Sequence, residues 1–251
     1  MIKSKTTKFV RRIVRRLAIN HLKEVGIFDD LKKYMELTKS TGVSWSDFWE
    51  LYKTVRAKKP QSILECGPGA STLVMTLALK ENERDGFTGK ITAMEEIEGY
   101  LIMSKELLPD NLHKYVNYVL SPRIDDSYEI FRGVIYRDIP EIDYDFVYID
   151  GPEHHSPSDN QFCFDFDFIH VLKKSEIPVC GMIDYRLSTG FVLQKILGYD
   201  KVRYNYIKEI GVIEPCVKSD IRKLDLDSIT EAFNQNGRIF GNTKIHIYSQ
   251  N

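Results

Sequence analysis

From Pro60 to about residue 216, short apolar runs alternate with stretches of helical periodicity. The runs are "SILEC" (62–66), "KITAME" (90–95), "YVNYVL" (115–120), "DFVYID" (145–150) and "PVCGMID" (178–184). Their length and their β-branched and aromatic content predict buried strands. Between them, 70–80, 99–108, a polar stretch at 125–132 and 159–174 predict helices. The segment "FCFDFDFIH" (162–170) also alternates with a strand's period. Because a crossover is needed between parallel strands, we assign it to helix. Strand–helix alternation of this kind implies βαβ units and a parallel sheet covered on both faces. Further on, "KVRYNYIKE", "GVIEP" and "TKIHIYSQ" predict strands and 226–234 a helix, so the sheet is expected to end in a non-parallel, hairpin-like edge.

The region before Pro60 has a different pattern. "KFVRRIVRRLAINHL" repeats Phe9, Val10, Ile13, Val14 and Leu17 at helical spacing, with Arg11, Arg12, Arg15 and Arg16 on the other side. "DDLKKYMEL" predicts a second helix, and "SWSDFWELYKTVRAKK" a third, with Ser44 or Ser46 as N-cap and its basic residues toward the C-terminal end. The expected organisation is a helical extension over 1–59 and a doubly wound, Rossmann-like α/β domain over 60–251.

Composition refines this picture in one place. The 251 residues are 43% hydrophobic and 28% charged with a net charge of −1, as in ordinary globular chains. That balance hides an asymmetry. Residues 1–23 carry eight Lys or Arg and no acid, leaving 27 basic against 36 acidic residues in the remainder. Four readings of the basic helix stay open: packing on the body with a solvated face, contact with an anionic membrane surface, contact with nucleic acid, or a transit peptide. No apolar run reaches the roughly 20 residues of a membrane span, and no secretory signal is recognisable. Cys66, Cys163, Cys180 and Cys216 lack metal-site spacing and read as buried thiols of a cytoplasmic protein. A peripheral position at the inner membrane surface and a homo-oligomer are compatible with these features.

The candidate chemistry sits at the strand ends. "SILECGPGAST" closes an apolar run on Glu65, turns at Gly67 and Gly69, and enters a helix. Such a loop brings backbone close to a small ligand. Glu95, Asp150 and Asp184 end three other predicted strands, and in an open α/β sheet these ends converge on one rim. A dinucleotide fingerprint needs a third glycine where Thr72 stands, and no Gly-Lys-Ser/Thr of a phosphate loop follows. An acid directly before the loop repels a pyrophosphate but suits a cation. S-adenosylmethionine, a sulfonium with an ammonium group, is such a ligand, and Glu95 would then accept from ribose hydroxyls.

"ILECGPGAST", "ITAMEE" and "YDFVYIDGPEHH" together resemble the class I S-adenosylmethionine-dependent methyltransferases. Over about 61–190 the chain is most similar to small-molecule and sugar O-methyltransferases of the caffeoyl-CoA and macrolide-sugar types. The resemblance implies that Glu65, Gly67 and Gly69, with Ser71 and Thr72 of the same loop, bind the methionine part. It places Glu95 at the ribose and Ser121 at the adenine. It also implies a Mg²⁺ or Mn²⁺ ion on Asp150 and Asp184 in the metal-dependent members, although Tyr185 replaces the Asn expected beside Asp184.

For methyl transfer to a hydroxyl, a proton must leave the acceptor. His154 or His155 could serve as base near neutral pH, with Asp150 orienting it. The turn "DGPE" is not the Pro-Pro-aromatic turn of adenine-N6 enzymes, and Pro215-Cys216 falls too late in the chain for a cytosine-C5 nucleophile. The expected partner is a small-molecule or sugar acceptor. A nucleic-acid methyltransferase, a nicotinamide oxidoreductase and a non-catalytic cofactor-binding protein at a membrane surface are the rival readings.

Overall fold

The computed structural model describes residues 2–38 and 44–224. Three helices lead the chain: α1 (Ile2–Glu24), α2 (Phe28–Thr38) and α3 (Trp45–Lys58). Then come β1 (Ser62–Cys66), α4 (Ala70–Arg84), β2 (Lys90–Glu95), α5 (Glu98–Leu107), β3 (Val116–Leu120), β4 (Arg123–Tyr128), β5 (Phe131–Tyr136) and β6 (Phe146–Ile149). The remainder is β7 (Phe164–Asp165), α6 (Asp167–Lys174), β8 (Val179–Asp184), α7 (Leu187–Leu197), β9 (Val202–Asn205) and β10 (Ile210–Cys216).

Seven strands form one sheet in the order β3-β2-β1-β6-β8-β10-β9. The five from β3 to β8 run parallel, and β10 pairs antiparallel with both β8 and β9. The fold is therefore α/β, doubly wound and Rossmann-like, with the expected non-parallel edge. Central strands are buried on both faces, so they read as continuous apolar runs. Strand order reverses between β1 and β6, and ligands of such sheets sit outside the carboxyl ends at that reversal.

One apolar core lies on each side of the sheet. The first joins Leu22, Leu31, Leu51 and Val55 of the leading helices to Leu73 and Ala78 of α4 and Ile63 of β1. The helical extension thus shares its core with the α/β body. The second core packs α6 and α7 through Phe168, Leu172, Leu193 and Ile196. Among the described residues no helix is long and apolar enough to cross a membrane. All four cysteines are buried free thiols, as expected.

Four local expectations change. Residues 125–132 are not helical: β4 and β5 form a hairpin with Glu129 at φ 50°, and β7 extends it to a second, three-stranded sheet. The deciding contact is tertiary. A Cβ on Gly133 would lie 2.0 Å from the Phe166 ring, so glycine alone lets that buried ring pack on β5. For the same reason the helix expected over 159–174 starts only at Asp167, after β7 has paired with β5. At α3, Ser44 occupies the N-cap position, but its hydroxyl bonds to Ser46 Oγ at 2.6 Å instead of capping the helix. The helix α7 was not anticipated from the sequence. The helix expected at 226–234 and the strand "TKIHIYSQ" lie outside the described residues.

Candidate active site at the strand ends

The loop after β1 is built around Glu65. Its side chain is fully buried, and its two oxygens accept from Ser71 Oγ at 2.7 Å and Thr72 Oγ1 at 2.8 Å. Thr72 Oγ1 in turn accepts the Gly69 N–H at 3.0 Å. Burial pushes the Glu65 carboxyl up to about 8, against the opposing pull of the two hydroxyls. With both oxygens taken by the loop's own hydroxyls, Glu65 holds the loop's shape. This corrects the expectation that it faces a cationic ligand directly. Ser71 does line the cavity, whereas Thr72 is spent on the loop.

Gly67 has φ 88°, a conformation costly for other residues, and an added Cβ would meet the Asp150 carbonyl oxygen at 3.0 Å. The loops after β1 and β6 are pressed together at this point. Gly69, by contrast, has open space on its Cβ side and borders the cavity.

That cavity, of about 400 Å³, lies beyond β1, β6 and β8 and is roofed by α2 and α3. Its floor is the glycine loop and the first turn of α4. Asp150, Asp184 and Asp47 face it, the last from the first turn of α3. Asp47 is the site residue the sequence did not reveal: an acid in the first turn of a helix ordinarily serves the helix dipole. Burial, and then the nearby Asp184 carboxylate, push Asp47 up to about 9. Asp184 is raised mainly by burial and is lowered by its contact with Asp47 and by Arg186. Both carboxyls are thus held above the ordinary carboxylate range, and they titrate as a pair. Asp150 opens to the cavity yet is ringed by protein; that enclosure and Asp184 raise it strongly. Asp184 Oδ1 is buried and, among the described residues, has no hydrogen-bond partner.

Arg186 is the guanidinium beside these acids, and its donors point elsewhere. It bonds Asp165 Oδ1 at 2.6 Å, the Pro152 carbonyl at 2.7 Å and the Asp150 carbonyl at 2.6 Å. Thr189 Oγ1 donates to the other Asp165 oxygen at 2.6 Å. The cavity thus keeps a surplus of acid.

Glu95 ends β2 on the neighbouring part of the rim. Its Oε1 accepts the N–H groups of Glu96 and Ile97, each at 2.8 Å, which fixes the carboxyl and leaves Oε2 for a ligand. Burial raises its pKa. Ser121 stands elsewhere than expected. It is fully buried, its N–H donates to the Glu95 carbonyl at 2.8 Å, and its hydroxyl accepts the Asp138 N–H at 2.9 Å. That hydroxyl is not presented to an adenine.

His154 and His155 follow Asp150 in sequence but do not line the cavity. Their rings lie tilted against each other, and both pack on Phe162, His155 edge-on; His155 Nδ1 lies 2.7 Å from Glu153. With Glu153 they bring ligand atoms within 4.8 Å of one another, on a half-exposed loop. The two histidines expected as base thus stand outside the cavity, whose titratable lining is carboxylate and tyrosine. Tyr185, where the resemblance would have an Asn, is 68% exposed at φ 30° and offers the cavity nothing.

No family model and no curated protein matches the chain. It is similar in structure to a putative caffeoyl-CoA O-methyltransferase from Staphylococcus aureus, at 15% identity and a TM-score of 0.47, covering 84% of this chain and 98% of that one. It is also similar to a methyltransferase-like protein from Silicibacter pomeroyi, at 13% identity and a TM-score of 0.43, covering 78% and 95%. A methyltransferase from Podospora anserina, bound to S-adenosylhomocysteine, gives 13% identity and a TM-score of 0.43 over 88% and 82%. These likenesses are remote, so function has to be argued from the cavity itself.

Proposed function

We infer that the chain is an S-adenosylmethionine-dependent methyltransferase acting on a hydroxyl of a small molecule or sugar. The observation that carries this is the acid surplus of a cavity set at the strand-order reversal, beside a glycine loop that opens onto a helix start. A zwitterionic, sulfonium-bearing ligand suits that arrangement. Its carboxylate meets the free N–H groups at the start of α4, its ammonium and sulfonium meet Asp150 and its neighbours, and its ribose meets Glu95 Oε2. A pyrophosphate would instead lie against Asp150 and Asp184 with no guanidinium turned toward it.

Methyl transfer is an in-line displacement, and this chain's part is to position the acceptor under α2 and α3 and to take its proton. Asp184 is the group placed for that. It lines the cavity beside Asp47, and among the described residues its Oδ1 makes no hydrogen bond. A hard divalent cation would instead draw on Asp150 and Asp184, with water in its vacant positions; among the described residues the ligand atoms that converge are those of Glu153, His154 and His155, outside the cavity. Bound to the two aspartates, Mg²⁺ or Mn²⁺ would lower the pKa of the acceptor hydroxyl.

The test is release of S-adenosylhomocysteine from S-adenosylmethionine over a panel of phenolic and sugar acceptors, with and without chelator. Turnover on hydroxyl acceptors, reduced by chelation and restored by Mg²⁺ or Mn²⁺, is expected. Turnover confined to RNA would contradict the acceptor class, and full activity after exhaustive chelation would remove the metal.

A further inference from the structure

The helix α1 has two apolar faces, and the fold uses one. Ala18 and Leu22 are buried and Val14 is half-buried, all toward the body, where α1 packs on α3. One body-facing stripe is all that a packed surface helix requires. Yet Phe9, Ile13 and Leu17, four residues apart and so stacked on a single line, are 62%, 44% and 52% exposed. Three large apolar side chains in line are an unpartnered surface.

Cations flank that line. Arg12 and Arg16 lie next to it on the helix, with Lys8 and Arg15 beyond. All four are exposed, and among the described residues none of them makes an ion pair. Arg11, which faces the body, is by contrast bound to Glu209 at 2.6 Å and to the Tyr206 carbonyl at 2.9 Å. The helix thus separates a cation used for packing from cations left to solvent. No acid occurs in residues 1–23, while the rest of the chain has nine more acids than bases.

We propose that α1 docks on an anionic lipid bilayer, lying in the plane of the headgroups with Phe9, Ile13 and Leu17 inserted and Arg12 and Arg16 against lipid phosphates. Charge complementarity selects this occupant. A nucleic acid would satisfy the arginines but leave the apolar line in water. A second α1 would cover the apolar line but press like charges together. A bilayer surface meets both requirements at once. The proposal goes beyond the methyltransferase reading and does not depend on it.

The test uses the full chain and vesicles of phosphatidylcholine alone or in an equal mixture with phosphatidylglycerol. Co-sedimentation is expected with the anionic vesicles, falling steeply as salt is added. The double change Arg12→Ser with Arg16→Ser should weaken it about 30-fold, each cation near an anionic surface being worth about fivefold. The triple change Phe9→Ser, Ile13→Ser and Leu17→Ser should abolish it while circular dichroism and thermal melting stay as in the parent, because these side chains are exposed. The proposal is overturned if the full chain ignores anionic vesicles. It is equally overturned if the triple variant still binds them, or if a salt-sensitive partner proves to be RNA and not lipid. A dimer of the full chain that the triple variant dissociates, with no vesicle binding, would assign the stripe to a second copy instead.

Discussion

The carboxyl of Asp47, on a helix that precedes the α/β body, lines the same cavity as the carboxyl of Asp184 at the end of β8, and the two titrate as a pair. This pairing makes the leading helices part of the site. Asp47 stands 137 positions before its partner in the chain, so only the packing of α3 over the sheet brings them together. Buried carboxyls in contact cannot both ionise cheaply, and the one farther from compensation keeps the proton.

Replacing Asp47 by Asn follows from that pair. Asp47 has a folded pKa of about 9, above that of the unfolded chain, so the folded state binds the extra proton and stability falls as pH rises from about 4 to 9. Asp47→Asn lacks this penalty. It should match the parent near pH 4 and be more stable by about 1–3 kcal/mol at pH 8, a shift visible in thermal melts across that range. A variant less stable at pH 8 would show that the carboxyl is held there ionised.

Glu65 gives the complementary result. Its carboxyl, raised by burial, serves the loop through Ser71 and Thr72. Glu65→Gln should keep S-adenosylhomocysteine affinity within about threefold of the parent by calorimetry, the scale of one net hydrogen bond. Glu65→Ala, which releases both hydroxyls, should lose far more. Loss of affinity in the Gln variant equal to that in the Ala variant would restore a direct charge role.

Arg186 closes the loop after β6 onto α7. Its partner Asp165 is fully buried, so removing the guanidinium leaves a buried charge alone. Arg186→Met should cost about 3–5 kcal/mol in urea unfolding, and Asp165→Asn in the same background should recover part of it. No recovery in the double variant would mean that the carbonyl contacts of Arg186, not its ion pair, hold the loop.

At the other end of the rim, Glu95→Ala should weaken S-adenosylhomocysteine binding by about 1–3 kcal/mol, and should also lower the melting temperature in the absence of ligand, because the Glu96 and Ile97 N–H groups lose their acceptor. Its carboxyl is fixed by the Glu96 and Ile97 N–H groups whether or not a ribose is present. Unchanged affinity would refute the ribose contact.

The parallel sheet was legible because its strands are buried on both faces and so appear as unbroken apolar runs ending in Glu65, Glu95, Asp150 and Asp184. The β4–β5 hairpin was not. "RIDDSY" carries no strand signal of its own, and its pairing depends on Phe166 meeting Gly133 from 33 residues away. At the site, sequence marked the acids at the strand ends but gave no sign of which ones face the ligand. Glu65 turned out to be consumed by its own loop, and His154 and His155 turn away from the cavity onto Phe162. Asp47 and Arg186 needed the fold to be seen at all, since each reads locally as an ordinary residue at a helix start.

The most direct test of the central claim is calorimetric titration of the chain with S-adenosylmethionine and, separately, with NAD⁺. Binding of S-adenosylmethionine, with no detectable binding of NAD⁺, is predicted by the acid-rich cavity beside the Glu65 loop. Binding of NAD⁺ without S-adenosylmethionine would contradict it.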